Sequence, residues 1–151
     1  VNITEMRLGG LLSRTTKAFS RALTDRFRAA GEDISIEQWM ILVRLWHQEG
    51  IAQTDLGNAC NLDKTLVTRA VTSLELRNIV VRIPDPKDKR INRIYLTHLG
   101  KQLRERLMPI VDEVHHAALK GISASDLDQV RSCLFLMLKN LEPDPSAPPT
   151  C

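Results

Sequence analysis

The sequence lacks the features that mark a membrane protein, a disulfide scaffold or a common enzyme class. No stretch approaches the roughly 18 uninterrupted apolar residues of a membrane span. The opening residues, Val1-Asn2-Ile3-Thr4-Glu5-Met6, have neither the basic region nor the apolar run of a secretory signal. Three cysteines, Cys60, Cys133 and Cys151, are an odd number without C-x-x-C spacing. That argues against a disulfide framework or a zinc module and suits a reducing cytoplasm. No phosphate-binding glycine loop, nucleophile elbow or metalloprotease helix is written in the chain. No cofactor, metal site or catalytic activity is therefore expected. Asp112, His115 and His116 contain helical i,i+3 and i,i+4 pairs, but adjacent histidines point about 100° apart on a helix and do not readily share one ion.

What is present suits an ordinary globular chain. With 151 residues, 43% hydrophobic and 26% charged, it can bury a core of its own. The net charge of +3 conceals an asymmetry: from Leu62 to Arg106 there are 11 Lys plus Arg against 5 Asp plus Glu, whereas the remainder has 10 against 13. A basic region set against an acidic remainder favours one face for a polyanion.

Periodicity gives the organisation. From Met6 to Ala30, Leu8, Leu12, Thr15, Phe19, Leu23 and Phe27 recur every three to four residues, which predicts one long amphipathic helix closed at Ala30-Gly31. Ser35 can cap a second helix with Trp39, Leu42, Val43 and Trp46 on one face, followed by a short extended link at Ile51-Ala52. Two brief helices, about 53–60 and 63–77, are joined at Asn61-Leu62-Asp63 with Asp63 as cap, which is helix-turn-helix spacing. Ile79 to Ile83 and Ile91 to Leu96 read as strands around a polar, proline-containing tip. Thr97 then starts a helix to about Lys120, striped by Leu99, Leu103, Leu107, Ile110, Val114 and Ala118 and bent at Pro109. After a capping box at Ser123 and Asp126 comes a last helix with Leu127, Val130, Leu134, Leu138 and Leu141 on one stripe. The proline-rich end, 142–151, is expected to be disordered.

Gln53-Thr54-Asp55-Leu56-Gly57, Leu66-Val67-Thr68-Arg69, Leu74-Glu75, Ile79-Val80-Val81-Arg82, Asp85-Pro86-Lys87-Asp88-Lys89-Arg90 and Leu96-Thr97-His98-Leu99-Gly100 stand in the order found in the MarR (multiple-antibiotic-resistance) family of bacterial regulators, which the sequence resembles over roughly a third of its length. Two positions depart from the family pattern. Ala52 replaces a Thr or Ser cap, a loss of about 1 kcal/mol for the following helix, and Asn78 replaces a Gly, where Asn tolerates the left-handed turn. The resemblance implies a mainly α fold with a small β-hairpin: a winged helix-turn-helix at about 35–96, flanked by dimerisation helices at 5–30 and 97–141, in a single domain spanning 1–141. It implies a homodimeric repressor on a palindromic operator in double-stranded DNA, with recognition helices roughly 34 Å apart. It also implies that Asp88 orients Arg90 into a minor groove, and that a small aromatic or phenolic effector binds between the dimer helices and the DNA module.

Elementary chemistry adds roles to single residues. On the recognition helix, Leu66, Ala70, Val71 and Leu74 are expected to face the core, leaving Lys64, Thr65, Thr68, Arg69 and Thr72 for the major groove. Asp88 and Arg90, two apart, can project from one side of the hairpin, while Lys87, Lys89 and Arg93 are suited to phosphates. Arg14, Phe19, Trp39 and Trp46 are effector candidates by location, although a tryptophan stripe also suits plain core. Two other readings are a regulator sensing oxidants through Cys60 or Cys133, and a winged helix used only for protein contacts.

Overall fold

In the computed structural model, residues 7–141 are described. The proposed tail at 142–151 and the first residues assigned to the opening helix lie outside them. Two compact units divide the chain, at 1–115 and 116–151. The expectation of one domain over 1–141 placed no boundary there.

Local signals fix the first unit's elements. The opening helix α1 (Leu8–Ala29) ends at Ala30, after which Gly31 turns the chain at a φ of +80°. Only its last half reaches the core: Leu23 and Phe27 are buried, while Leu8 and Leu12 stay exposed. Helix α2 (Ile36–His47) opens with a complete capping box, in which the Ser35 hydroxyl accepts from Gln38 N and the Gln38 side chain accepts from Ser35 N. Its deepest residues are Ile41, Leu42 and Leu45; Trp39, Val43 and Trp46 are half-buried beside them. The expected tryptophan face is thus the rim of this core, because a 3.6-residue repeat gives α2 a broader apolar arc than one stripe.

The extended link at Ile51-Ala52 is a strand, β1 (Ile51–Ala52). It pairs with β3 (Asn92–Leu96), which also pairs with β2 (Val80–Pro84), giving an antiparallel sheet ordered β1-β3-β2. Two residues are too short for an alternation pattern, so only their partner reveals them as a strand. Helix α3 (Gln53–Cys60) follows without a side-chain cap from Ala52 and stops at Asn61 in the left-handed region. Helix α4 (Lys64–Leu76) begins where the Asp63 carboxylate accepts from Leu66 N at 2.9 Å. Gly57 lets the two helices approach closely, since a Cβ there would lie 3.1 Å from a Val67 methyl. Asn78, at a φ of +56°, turns the chain from α4 toward β2.

Helix α5 (His98–Ala118) begins beside the sheet, with Thr97 Oγ1 accepting from Gly100 N and donating to Asn78 O. A side chain at Gly100 would collide with the Ile79 carbonyl, which makes glycine necessary there. The helix continues through Pro109 and buries Leu103, Leu107, Val111 and Val114, together with Gly100. Leu103, Leu107 and Val114 of the expected stripe are buried, whereas Leu99 and Ala118 are exposed and Val111 takes the buried place assigned to the half-buried Ile110. Equal hydrophobicity at neighbouring positions left that one-residue ambiguity.

In the second unit, α6 (Ala124–Leu141) is capped by the Ser123 hydroxyl, which accepts from Asp126 N at 3.1 Å. It buries none of its residues. Val130, Phe135, Leu136, Leu138 and Leu141 are all exposed, Phe135 at 71%. Among the described residues, no helix is long and apolar enough to cross a membrane.

Candidate nucleic-acid interface

Helix α4 turns Val67, Ala70, Val71 and Leu74 into the core. Leu66, assigned to that side from the sequence, is exposed instead. Its neighbour Val67 takes the buried place, against Gly57. Lys64, Thr65, Thr68, Arg69 and Thr72 all lie on exposed surface. The buried Gln38 fixes α4 from behind, donating from Nε2 to the Ser73 hydroxyl at 2.9 Å.

The wing is stiffened at two levels. At its base Asp85, 6% exposed, accepts from Lys87 N at 2.7 Å and Asp88 N at 3.1 Å, and its other oxygen is bonded by Arg93 Nε. The Arg93 guanidinium also donates to the Gly50 carbonyl at 2.7 Å, so Arg93 clamps β3 to the loop before β1. Its sequence assignment was to phosphate; its observed bonds face inward. At the tip, Asp88 holds Arg90 in a fork, with Nε 3.0 Å from one oxygen and Nη2 2.8 Å from the other. Arg90 N adds a bond to the same carboxylate at 3.0 Å. The Arg90 side chain is nonetheless 90% exposed. Lys87 and Lys89 flank it on exposed surface.

Both carboxylates are held below their ordinary pKa. The Arg93 hydrogen bond is the largest cause at Asp85, followed by the Lys87 and Asp88 amides. At Asp88 it is the Arg90 side chain, then the Arg90 amide. Hydrogen bonds to the charged form outweigh desolvation here.

Sequence reasoning missed a second polar group, between wing and helix. Arg82 on β2 donates from Nε to Gln53 Oε1 at 3.1 Å and from Nη2 to Thr72 Oγ1 at 2.9 Å, and Nη1 bonds Glu75. Gln53 Nε2 in turn donates to Thr68 Oγ1 at 3.1 Å. The signal was available in Arg82 and Glu75, both within the family-like segments, but the strand register that brings them together was not.

The effector candidates separate into two groups. Trp39 meets Phe27 at a tilt with centroids 5.4 Å apart and Trp46 edge-to-face at 5.6 Å, and Trp46 Nε1 donates to Gly100 O at 3.0 Å. Phe19 meets the His115 ring edge-on at 5.9 Å. Arg14 is exposed on α1; five residues from Phe19, it projects about 140° away around the helix. Phe19, Trp39 and Trp46 all pack against the same core, and Arg14 stands apart from them. Cys60 is buried, its thiol donating to Met40 O at 3.6 Å, and burial pushes its pKa up despite the opposing charge of Arg44. A peroxide-reactive thiolate needs the opposite shift. Cys133 is exposed on α6.

Comparison with known proteins places this geometry. The MarR family model matches residues 34–91, the helix-turn-helix and most of the wing. The chain is 27% identical over 138 residues to the organic hydroperoxide resistance transcriptional regulator of Bacillus subtilis (strain 168), covering 90% of this chain and 92% of that one. It is similar to the crystal structure of a MarR-family transcriptional regulator from Rhodococcus sp. RHA1, with a TM-score of 0.77 and 29% identity over 86% of this chain and 91% of that one. It is also similar to CouR from Rhodococcus jostii RHA1 bound to p-coumaroyl-CoA, with a TM-score of 0.77 and 27% identity over 95% and 100% of the two chains.

Proposed function

The chain belongs to the MarR family of transcriptional regulators, and from that premise we propose that it is a homodimeric repressor that reads a palindromic operator and is released by a small aromatic or phenolic ligand. The observation that carries the reading is Arg90, almost fully exposed yet held in a two-bond fork by Asp88. A guanidinium fixed before binding loses less side-chain entropy when it enters a groove, and a narrow minor groove attracts such a group by its shape and potential. Beside it, α4 offers Lys64, Thr65, Thr68, Arg69 and Thr72 for the major groove.

The apolar residues left exposed on α6 supply the support for two copies. A two-fold dimer would cover them and would set two reading helices at operator spacing. The aromatic effector is supported by CouR, a similar protein bound to p-coumaroyl-CoA. A ligand with higher affinity for a spacing that misfits DNA would shift the population away from the operator.

Selection of bound duplexes from a random pool, read by sequencing, tests this directly. The expected result is a two-fold-symmetric motif with half-sites about one helical turn apart, from which p-coumaroyl-CoA or a simple phenolic acid displaces the protein. Enrichment without symmetry contradicts the dimer, and no enrichment at low salt contradicts DNA reading.

A further inference from the structure

Two threonines on the exposed face of α4 have the same side chain and different bonds. The Thr68 hydroxyl donates to the Lys64 carbonyl at 2.8 Å and accepts from Gln53 Nε2 at 3.1 Å. Its one proton and one of its lone pairs are used within the protein. The Thr72 oxygen accepts from Arg82 Nη2 at 2.9 Å, and its proton meets no acceptor among the described residues. Gln53 and Arg82 are joined at 3.1 Å, and Arg82 is anchored on Glu75. A bonded set reaching from the start of α3 to β2 thus orients both hydroxyls without any duplex present.

Resting on the reading of α4 as the groove helix, we propose that Gln53 and Arg82 are positioning residues that set its base preference. With its oxygen drawn back to Lys64 and Gln53, Thr68 presents its methyl group to the methyl of a thymine. Thr72, its oxygen occupied by Arg82, presents a proton to an acceptor on a base edge. The thymine methyl is a major-groove feature that distinguishes T from the other bases by apolar contact. A side chain fixed beforehand also loses less freedom on binding.

The test compares the wild type, Thr68→Val, Thr68→Ser and Gln53→Ala on the selected duplex and on versions with each thymine in turn replaced by deoxyuridine, which lacks only the methyl. At one thymine per half-site, the wild type is expected to bind about fourfold more weakly after replacement, the transfer value of one methyl group. Thr68→Val, whose restricted χ1 on a helix keeps a methyl in the same place without the Gln53 bond, retains that discrimination. Thr68→Ser, which keeps the hydroxyl and loses the methyl, binds both duplexes equally. Gln53→Ala relaxes the preference at this position with an unchanged unfolding midpoint, a pattern that a merely structural role would not give.

Discrimination kept by Ser and lost by Val overturns the proposal. So does a wild type that binds the duplex and is indifferent to every replacement, and in that case DNA reading survives. A wild type that selects no duplex at all removes the groove reading, and this inference with it.

Discussion

Between Ile34 and Leu96, every helix and strand sends at least one side chain into a shared core, whereas α6 sends none. In the first region, Leu42, Leu45, Leu56, Val71, Leu74 and Ile94 are all fully buried. In the second, an equally apolar set, Val130, Phe135, Leu136, Leu138 and Leu141, faces outward. The same driving force acts on both, at about 25 cal/mol per Å² of apolar surface. The reading module therefore satisfies it within one chain. For α6 the proposed dimer supplies what a single chain leaves undone, and mutations in the two regions should have different consequences.

The largest break is expected at α6. Phe135→Glu combined with Leu138→Glu should convert a dimer to a folded monomer, because neither residue is buried in the single chain. Losing the second reading module should weaken operator binding by about a hundredfold or more, the usual range for linked sites. Sedimentation and duplex titration together check this: a monomer with undiminished affinity would contradict the role of two copies.

Next comes the wing tip. Arg90→Ala should weaken binding by about tenfold or more while leaving the unfolding midpoint in place, because the side chain is exposed. Unchanged affinity in a salt-controlled titration would show that the fork is only a surface ion pair.

Acidification should act on the wing before the module. Asp85 and Asp88 have folded pKa values below their ordinary ones. The order they confer is complete above the unfolded value of about 3.9 and is lost as pH falls through the depressed folded values. Amide exchange at Lys87, Asp88 and Arg90, taken relative to the intrinsic rate at each pH, should therefore be flat from neutral pH to about 5 and rise in stronger acid. Asp85→Asn should give the raised exchange already at neutral pH, by removing the charge that Arg93 and the two amides bind. Relative exchange independent of both pH and this substitution would exclude the carboxylate as the wing's brace.

The smallest effect tests independence. α3 starts at Ala52 with no side-chain cap, so Ala52→Ser should stabilise the module by about 0.5–1 kcal/mol, visible as a raised unfolding midpoint. The dimer equilibrium should not move.

How much of this was legible in the residues depends on the range over which the signal acts. Caps and periodic helices are local, and Ser35, Asp63 and the 53–60 and 63–77 helices could be read directly, while the left-handed turn at Asn78 came from the family resemblance. The Asp88–Arg90 pairing was implied by the family resemblance, and the spacing of two on one hairpin allowed it. The helical phase was less secure where apolar residues adjoin: Leu66 and Val67 exchange places at α4, as Ile110 and Val111 do at α5. Features joined across long separations were not visible. Strand β1 exists through its pairing with β3, Arg93 turns to Gly50, and Arg82 links Gln53, Thr72 and Glu75 through a register that the sequence does not state.

The measurement that most directly tests the central claim is the salt dependence of duplex affinity for the purified protein. A module that neutralises phosphates with Lys64, Arg69, Lys87, Lys89 and Arg90 should lose affinity steeply, with log K falling by about 0.9 per phosphate for each unit of log salt. A slope of several units, reduced by about one in Arg90→Ala, is the expected result. A flat response would contradict DNA reading and leave the wing as a surface for protein contacts.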